Sequence, residues 1–176
     1  MKQILLITAV ILNIIQMKEQ KNQNIVKVTN KQWEVVNDNV MGGISKGSYK
    51  VENDRVIFYG KLSSQFNGGF ASIRNRERIH LENNEKITLK VIGDGNTYQV
   101  RIKDSYHNFH SYYHEFSTLG QEEEITLSFS DFKPIFRGTN LLLDNFDKKS
   151  IDELSFMIVS DSEPNFKLEI IEFSIN

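Results

Sequence analysis

At 176 residues, 39% hydrophobic and 11% aromatic, the chain has enough apolar side chains for one sizeable core and is short for two. Its 21 Lys and Arg against 23 Asp and Glu leave a formal charge of -2, which gives no basic field for nucleic acid. The absence of Cys removes disulfide staples, thiolate metal sites and cysteine nucleophiles together, and 10 Gly with 2 Pro exclude a low-complexity or collagen-like chain.

The chain opens with Met1, Lys2 and Gln3, followed by an apolar run over residues 4–15 broken only by Thr8 and Asn13. That length suits the apolar stretch of a signal peptide and is too short for a bilayer-spanning helix. Residues 1–24 are therefore read as a signal peptide or anchor, and the protein as exported or membrane-associated, with a cytoplasmic chain as the alternative. No Arg precedes Arg55, which argues against a mitochondrial transit peptide.

Residues 25–176 read as a single domain. From Ile25 the apolar period is two and turn residues recur at short intervals, the pattern of a sandwich or barrel. Val56, Phe58, Gly60 and Leu62 alternate with Ile57, Tyr59 and Lys61; Ile87, Leu89 and Val91 with Thr88 and Lys90; Tyr98, Val100 and Ile102 with Gln99, Arg101 and Lys103. Ile125, Leu127 and Phe129, then Leu154, Phe156 and Ile158, then Phe166, Leu168 and Ile170 continue the pattern. The adjacent Ile170 and Ile171 reverse the parity, which Phe173 and Ile175 then keep, so a β-bulge is expected near Ile170. Asn53-Asp54 and residues 93–96 and 160–165 mark turns, and about ten strands result, enough for two packed sheets.

Three constellations are able to carry chemistry. In Asn37-Asp38-Asn39-Val40-Met41-Gly42-Gly43-Ile44-Ser45, the glycines permit close backbone approach, and Asp38 and Asn39 can hold backbone amides or a ligand hydroxyl. The spacing is not that of a phosphate loop, and a turn capped by its own Asp and Asn is the plainer alternative. In Gln65-Phe66-Asn67-Gly68-Gly69-Phe70-Ala71-Ser72-Ile73-Arg74, small residues beside an Arg suit a shallow surface open to a partner; the alternative is a Gly-rich turn with Arg74 paired to a carboxylate. The third runs from Tyr106 to Phe116, where His107, His110, His114 and Glu115 invite a metal reading. On a strand, His110 and His114 face the same way about 13 Å apart at about 3.3 Å per residue, too far to chelate one ion, so no metal site is expected.

No nucleophile elbow, paired-His zinc motif, phosphate loop or dinucleotide fingerprint occurs, so no catalytic residue and no cofactor is assigned. A glycoside-cleaving enzyme would need two carboxylates facing one cleft.

Trp33, the stretch Val36-Asn37-Asp38-Asn39-Val40-Met41-Gly42-Gly43-Ile44-Ser45, Phe58-Tyr59-Gly60-Lys61-Leu62 and Asn67-Gly68-Gly69-Phe70-Ala71-Ser72-Ile73-Arg74 resemble the opening blocks of the complex I intermediate-associated protein 30 family. Tyr98 with Val100-Arg101, Tyr112 with Phe116, Phe129-Ser130-Asp131-Phe132 with Phe136-Arg137-Gly138, and Phe156-Met157-Ile158 resemble its later blocks, whereas Ser155 stands where members often carry Gly. The resemblance covers about residues 33–175 and implies a jelly-roll β-sandwich of the galactose-binding-domain type. It also implies a non-catalytic, chaperone-like assembly module whose partner is a protein, with a respiratory-complex subunit or assembly intermediate in view. The residues put forward for binding are Asp38, Asn39, Asn67, Arg74, Arg101 and Tyr112, with Arg74 and Arg101 expected on one open face. The rival reading locks each Arg into a buried pair with Asp38 or Asp131. The alternative function is a carbohydrate-binding module of the same sandwich type, with Tyr106, Tyr112 and Tyr113 as stacking rings.

Overall fold

Alternation of apolar and polar side chains, carried through strand after strand, sorts the chain into two antiparallel sheets whose apolar faces meet. A computed structural model describes residues 25–81, 85–162 and 164–176, without the side chains of Ile25, Val26 and Asn67. The apolar run over residues 4–15, and the export reading with it, lies outside the described residues.

With strands numbered in chain order, the first sheet holds β1 (Ile25–Val26), β3 (Lys46–Glu52), β4 (Arg55–Lys61), β7 (Lys86–Ile92), β10 (Glu122–Ser128) and β15 (Asn165–Ile175). Their order is β10-β7-β15-β4-β3, with β1 on β15. The second holds β2 (Glu34–Asn37), β5 (Phe70–Asn75), β8 (Thr97–Lys103), β9 (Ser111–Ser117), β11 (Lys133–Phe136), β12 (Thr139–Asn140) and β14 (Glu153–Val159), in the order β12-β11-β9-β8-β14-β5-β2. A small ribbon joins β6 (Ile79–His80) to β13 (Ser150–Ile151).

The core is the sum of the inward-facing positions. Val56 and Phe58, Ile87, Leu89 and Val91, and Leu168, Ile170 and Phe173 come from the six-stranded sheet; Ile73, Tyr98, Val100, Ile102, Leu154, Phe156 and Ile158 come from the seven-stranded one. Each large aliphatic or aromatic side chain so buried contributes about 1.5–3 kcal/mol, which offsets the entropy of ordering the strands. Trp33 closes one end, its indole N–H donating to the Val28 carbonyl at 2.9 Å and its ring lying 5.8 Å from that of Phe156.

The expected bulge is present: the pairing of β15 with β7 shifts between Ile170 and Glu172, and Ile170 and Phe173 both reach the core. Asn53 and Asp54, at φ 51 and 57, form the two-residue link between β3 and β4, a turn whose twist suits a hairpin. Phe129 is a correction to the strand expected over residues 125–129. β10 ends at Ser128, and Phe129 opens a 3-10 turn that keeps its ring buried against Phe132 and Phe146.

Candidate binding groove

Both Gly-Gly blocks converge on a single carboxylate. Asp38 opens a 3-10 turn (Asp38–Met41) and points inward with no exposed surface. It accepts hydrogen bonds from the Ser45 N–H at 2.9 Å, the Ser45 hydroxyl, the Gly69 N–H at 2.7 Å and, at 3.4 Å, the Phe70 N–H. A Cβ on Gly43 would lie 2.4 Å from Asp38 Cγ, and one on Gly68 would lie 2.6 Å from its Oδ2, so only glycine lets the two loops close on the carboxylate. Burial pushes the Asp38 carboxyl up, and the hydrogen bonds from Ser45, Gly69 and Phe70 outweigh it, leaving the pKa below its ordinary value.

This clasp positions Met41 and Phe70, which wall one end of a groove of about 350 Å³ on the outer face of the seven-stranded sheet. Because Tyr98, Val100 and Ile102 face the core, Gln99, Arg101 and Lys103 face out; the same parity turns Glu153, Ser155, Met157 and Val159 of β14 outward. Strand register then aligns side chains in rows. Ser155 pairs with Arg74 on one side and Arg101 on the other, and Arg74 pairs in turn with Glu34 and Arg101 with Tyr113. In the next row Met157 sits between Ser72 and Gln99, with Val36 beyond Ser72. The Ser155 hydroxyl donates to the Arg101 carbonyl at 3.3 Å.

The floor is thus thioether and hydroxyl, apolar toward Val36, Met41, Phe70 and Val159, and cationic toward Arg101, Lys103 and Arg137. Most of the charges are already matched. Arg74 clamps Glu34 through Nε and Nη2 at 3.0 and 2.9 Å, and Glu153 is held between Arg76 at 3.0 Å and Arg74 at 3.9 Å. Lys103 donates to the Asn108 carbonyl at 2.7 Å. Arg101 differs: its Nε donates to Gln99 Oε1 at 2.8 Å, the Tyr113 ring lies 6.0 Å from its guanidinium carbon, and no ion pair to it is found among the described residues. Burial pulls its pKa down to about 10, against the opposing influence of Tyr113 and Glu115, so it stays charged at neutral pH.

Arg74 and Arg101 therefore share the open face, as expected; the carboxylates on Arg74 are Glu34 and Glu153, and the one acting on Arg101 is Glu115, rather than Asp38 or Asp131. Asp38 requires correction as a ligand group: it is consumed by the clasp and has no surface to offer. Tyr112 requires the same correction, since it is 5% exposed and packs inward against His110 and Phe146, whereas its neighbour Tyr113 faces out. Asn39 is exposed on the turn beside the groove without lining it, and the side chain of Asn67 lies outside the described residues. Met41, Met157, Val159, Arg137 and Glu153 line the groove and were missed, although the parity of β14 alone points to three of them. His110 packs on Phe109 and Tyr112, and His114 on Phe132; among the described residues no three His, Asp or Glu side chains gather where they could hold a metal ion.

The family model described as complex I intermediate-associated protein 30 matches residues 18–170. No curated protein sequence matches the chain. Among solved structures, a family 11 carbohydrate-binding module from Clostridium thermocellum, in complex with a β-1,3-1,4-mixed-linked tetrasaccharide, superposes with a TM-score of 0.63 at 12% identity, covering 87% of this chain and 95% of that one. A family 11 module of a cellulosomal cellulase of Clostridium thermocellum gives 0.58 at 12% identity over 82% and 87%, and a family 4 carbohydrate-binding module gives 0.51 at 10% identity over 86% and 92%. At such identities the likeness establishes the fold, an all-β jelly-roll sandwich of the galactose-binding type, and nothing about the ligand.

Proposed function

The chain belongs to the complex I intermediate-associated protein 30 family, and from that premise we propose that it is a non-catalytic binding module that holds a segment of a partner polypeptide in the groove, in the manner of a chaperone-like assembly factor. The observation that carries the reading is the groove's composition. Met41 and Met157, with Val36, Phe70 and Val159, form an apolar trough rimmed by charge, and flexible thioethers adapt to varied side chains. Glu153, the one carboxylate among the described residues lining the groove, is tied between two arginines and is poorly placed to act as an acid or base. A respiratory-complex subunit or assembly intermediate is the first partner to test.

An oligosaccharide running from the groove into the adjoining depression is the second reading, favoured by the ring of Tyr106, which is 47% exposed there beside Arg74, Lys103 and Glu153, residues that line both. Affinity capture from native cells with the wild type and with Met157→Trp, which fills the floor, separates the two when paired with a glycan array. The polypeptide reading expects a co-purifying protein that Met157→Trp loses. Retention of that protein by a folded Met157→Trp variant, or a glycan bound by the wild type and lost by the variant, would replace it.

A further inference from the structure

We propose that Arg101 anchors an acidic side chain of the bound segment, an Asp or Glu carboxylate flanked by apolar residues; this rests on the groove being a polypeptide site. Arg101, Lys103 and Arg137 are the cations lining the groove that have no ion pair among the described residues, and Arg137 lies against the neighbouring Phe136 ring at 5.3 Å. Arg74 and Arg76 are bound to Glu34 and Glu153, and Lys103 is bound to the Asn108 carbonyl. Arg101 is drawn part-way out of water with its only hydrogen bond, among the described residues, running from Nε to Gln99. Glu115 is linked to it by hydrogen bonds only through Gln99 and makes no direct ion pair with it among the described residues. A desolvated cation without a direct counter-charge is costly, so an arriving anion relieves that cost.

The arrangement is also oriented. Gln99 receives the Arg101 Nε–H and donates its own amide to Glu115 at 2.9 Å, so a chain of side-chain hydrogen bonds fixes the guanidinium edge. The Tyr113 ring lies over the guanidinium. What remains is the pair of Nη groups, an end-on fork whose spacing matches the two oxygens of a carboxylate. On the apolar side, Met157 adjoins Gln99 in the next row, and Phe70 and Val159 lie beyond, so side chains flanking the carboxylate meet apolar surface.

The test begins with selection of random heptapeptides on the immobilised full chain. Selected peptides are then titrated beside their Glu→Gln or Asp→Asn isosteres. The expected result is one acidic residue at a fixed register between apolar residues, and an isostere that binds the wild type about tenfold or more weakly. Arg101→Gln is expected to bind both peptides equally and weakly. The comparison of isosteres in the wild type stands even if Arg101→Gln fails to fold. Peptides that Met157→Trp displaces but that show no acidic preference overturn the role of Arg101 and leave the polypeptide groove standing. Failure to select any groove-dependent peptide overturns the groove reading itself, and trigalacturonate binding that depends on Arg101 assigns the fork to an acidic sugar instead.

Discussion

Replacing Asp38 with Asn keeps the shape of the clasp and removes its charge. In the folded protein the carboxylate takes the Ser45 N–H, the Ser45 hydroxyl and the Gly69 N–H, with the Phe70 N–H a longer contact. An Asn amide can keep one oxygen toward the Ser45 N–H, but its NH₂ then meets the buried Gly69 N–H donor to donor. The Ser45 hydroxyl has an alternative acceptor in the Ser63 carbonyl at 3.3 Å, whereas Gly69 has none at hand. Losing charge-assisted bonds at about 1.5–3 kcal/mol each and stranding a buried donor gives an expected cost of about 3–5 kcal/mol at pH 7. For a chain of this size that lowers the melting temperature by about 6–20 °C. Urea unfolding followed by the emission of Trp33, the single Trp and 6% exposed, measures it. Because the folded pKa of Asp38 lies below its ordinary value, its contribution is present above the unfolded pKa of about 3.9 and is lost as pH falls through the folded pKa. The gap between wild type and Asp38→Asn therefore narrows in acid below about pH 4. A cost under about 1 kcal/mol at pH 7, or a gap that does not change with acid, would refute the clasp.

Gly60→Ala places a Cβ 2.0 Å from the Lys46 carbonyl on β3, so β4 must move; a loss of about 2–3 kcal/mol by urea unfolding is expected. Tyr98→Phe removes the hydroxyl that donates to Asp94 at 3.0 Å and costs about 1 kcal/mol. Burial and Asp94 hold the Tyr98 phenol far above its ordinary pKa, so its stabilisation is full below the unfolded value of about 10 and is lost as pH rises beyond it; Tyr98→Phe flattens that alkaline loss in a pH series of melts. Arg101→Gln, which breaks no ion pair among the described residues, leaves unfolding free energy within about 1 kcal/mol of wild type.

Strand parity made much of this legible. The core positions of β4, β7, β8 and β14, and the bulge after Ile170, follow from apolar period two and its one reversal. The same parity puts Tyr112 and Tyr113 on opposite faces, yet which of them faces inward depends on how β9 pairs with β8 and β11, a nonlocal fact. Asp38 stood out in the sequence because of its glycines, but an Asp in a Gly-rich turn looks alike whether it faces solvent or its own backbone. The partner of Arg74 lies 40 residues earlier, at Glu34, and only the β2–β5 register brings them together. The open fork of Arg101 could not be read at all, since it depends on what fails to come near.

Placing a benzoylphenyl photo-crosslinker at Val159, 48% exposed on the groove rim, and separately at Thr126, exposed on the outer face of the six-stranded sheet, tests the groove most directly. Irradiation in native cells is expected to join a partner polypeptide to the Val159→benzoylphenylalanine chain, to lose that adduct when Met157→Trp is added, and to give none from position 126. An adduct formed at position 126 and not at 159, or one at 159 that persists with Met157→Trp, would contradict the groove as the site of binding.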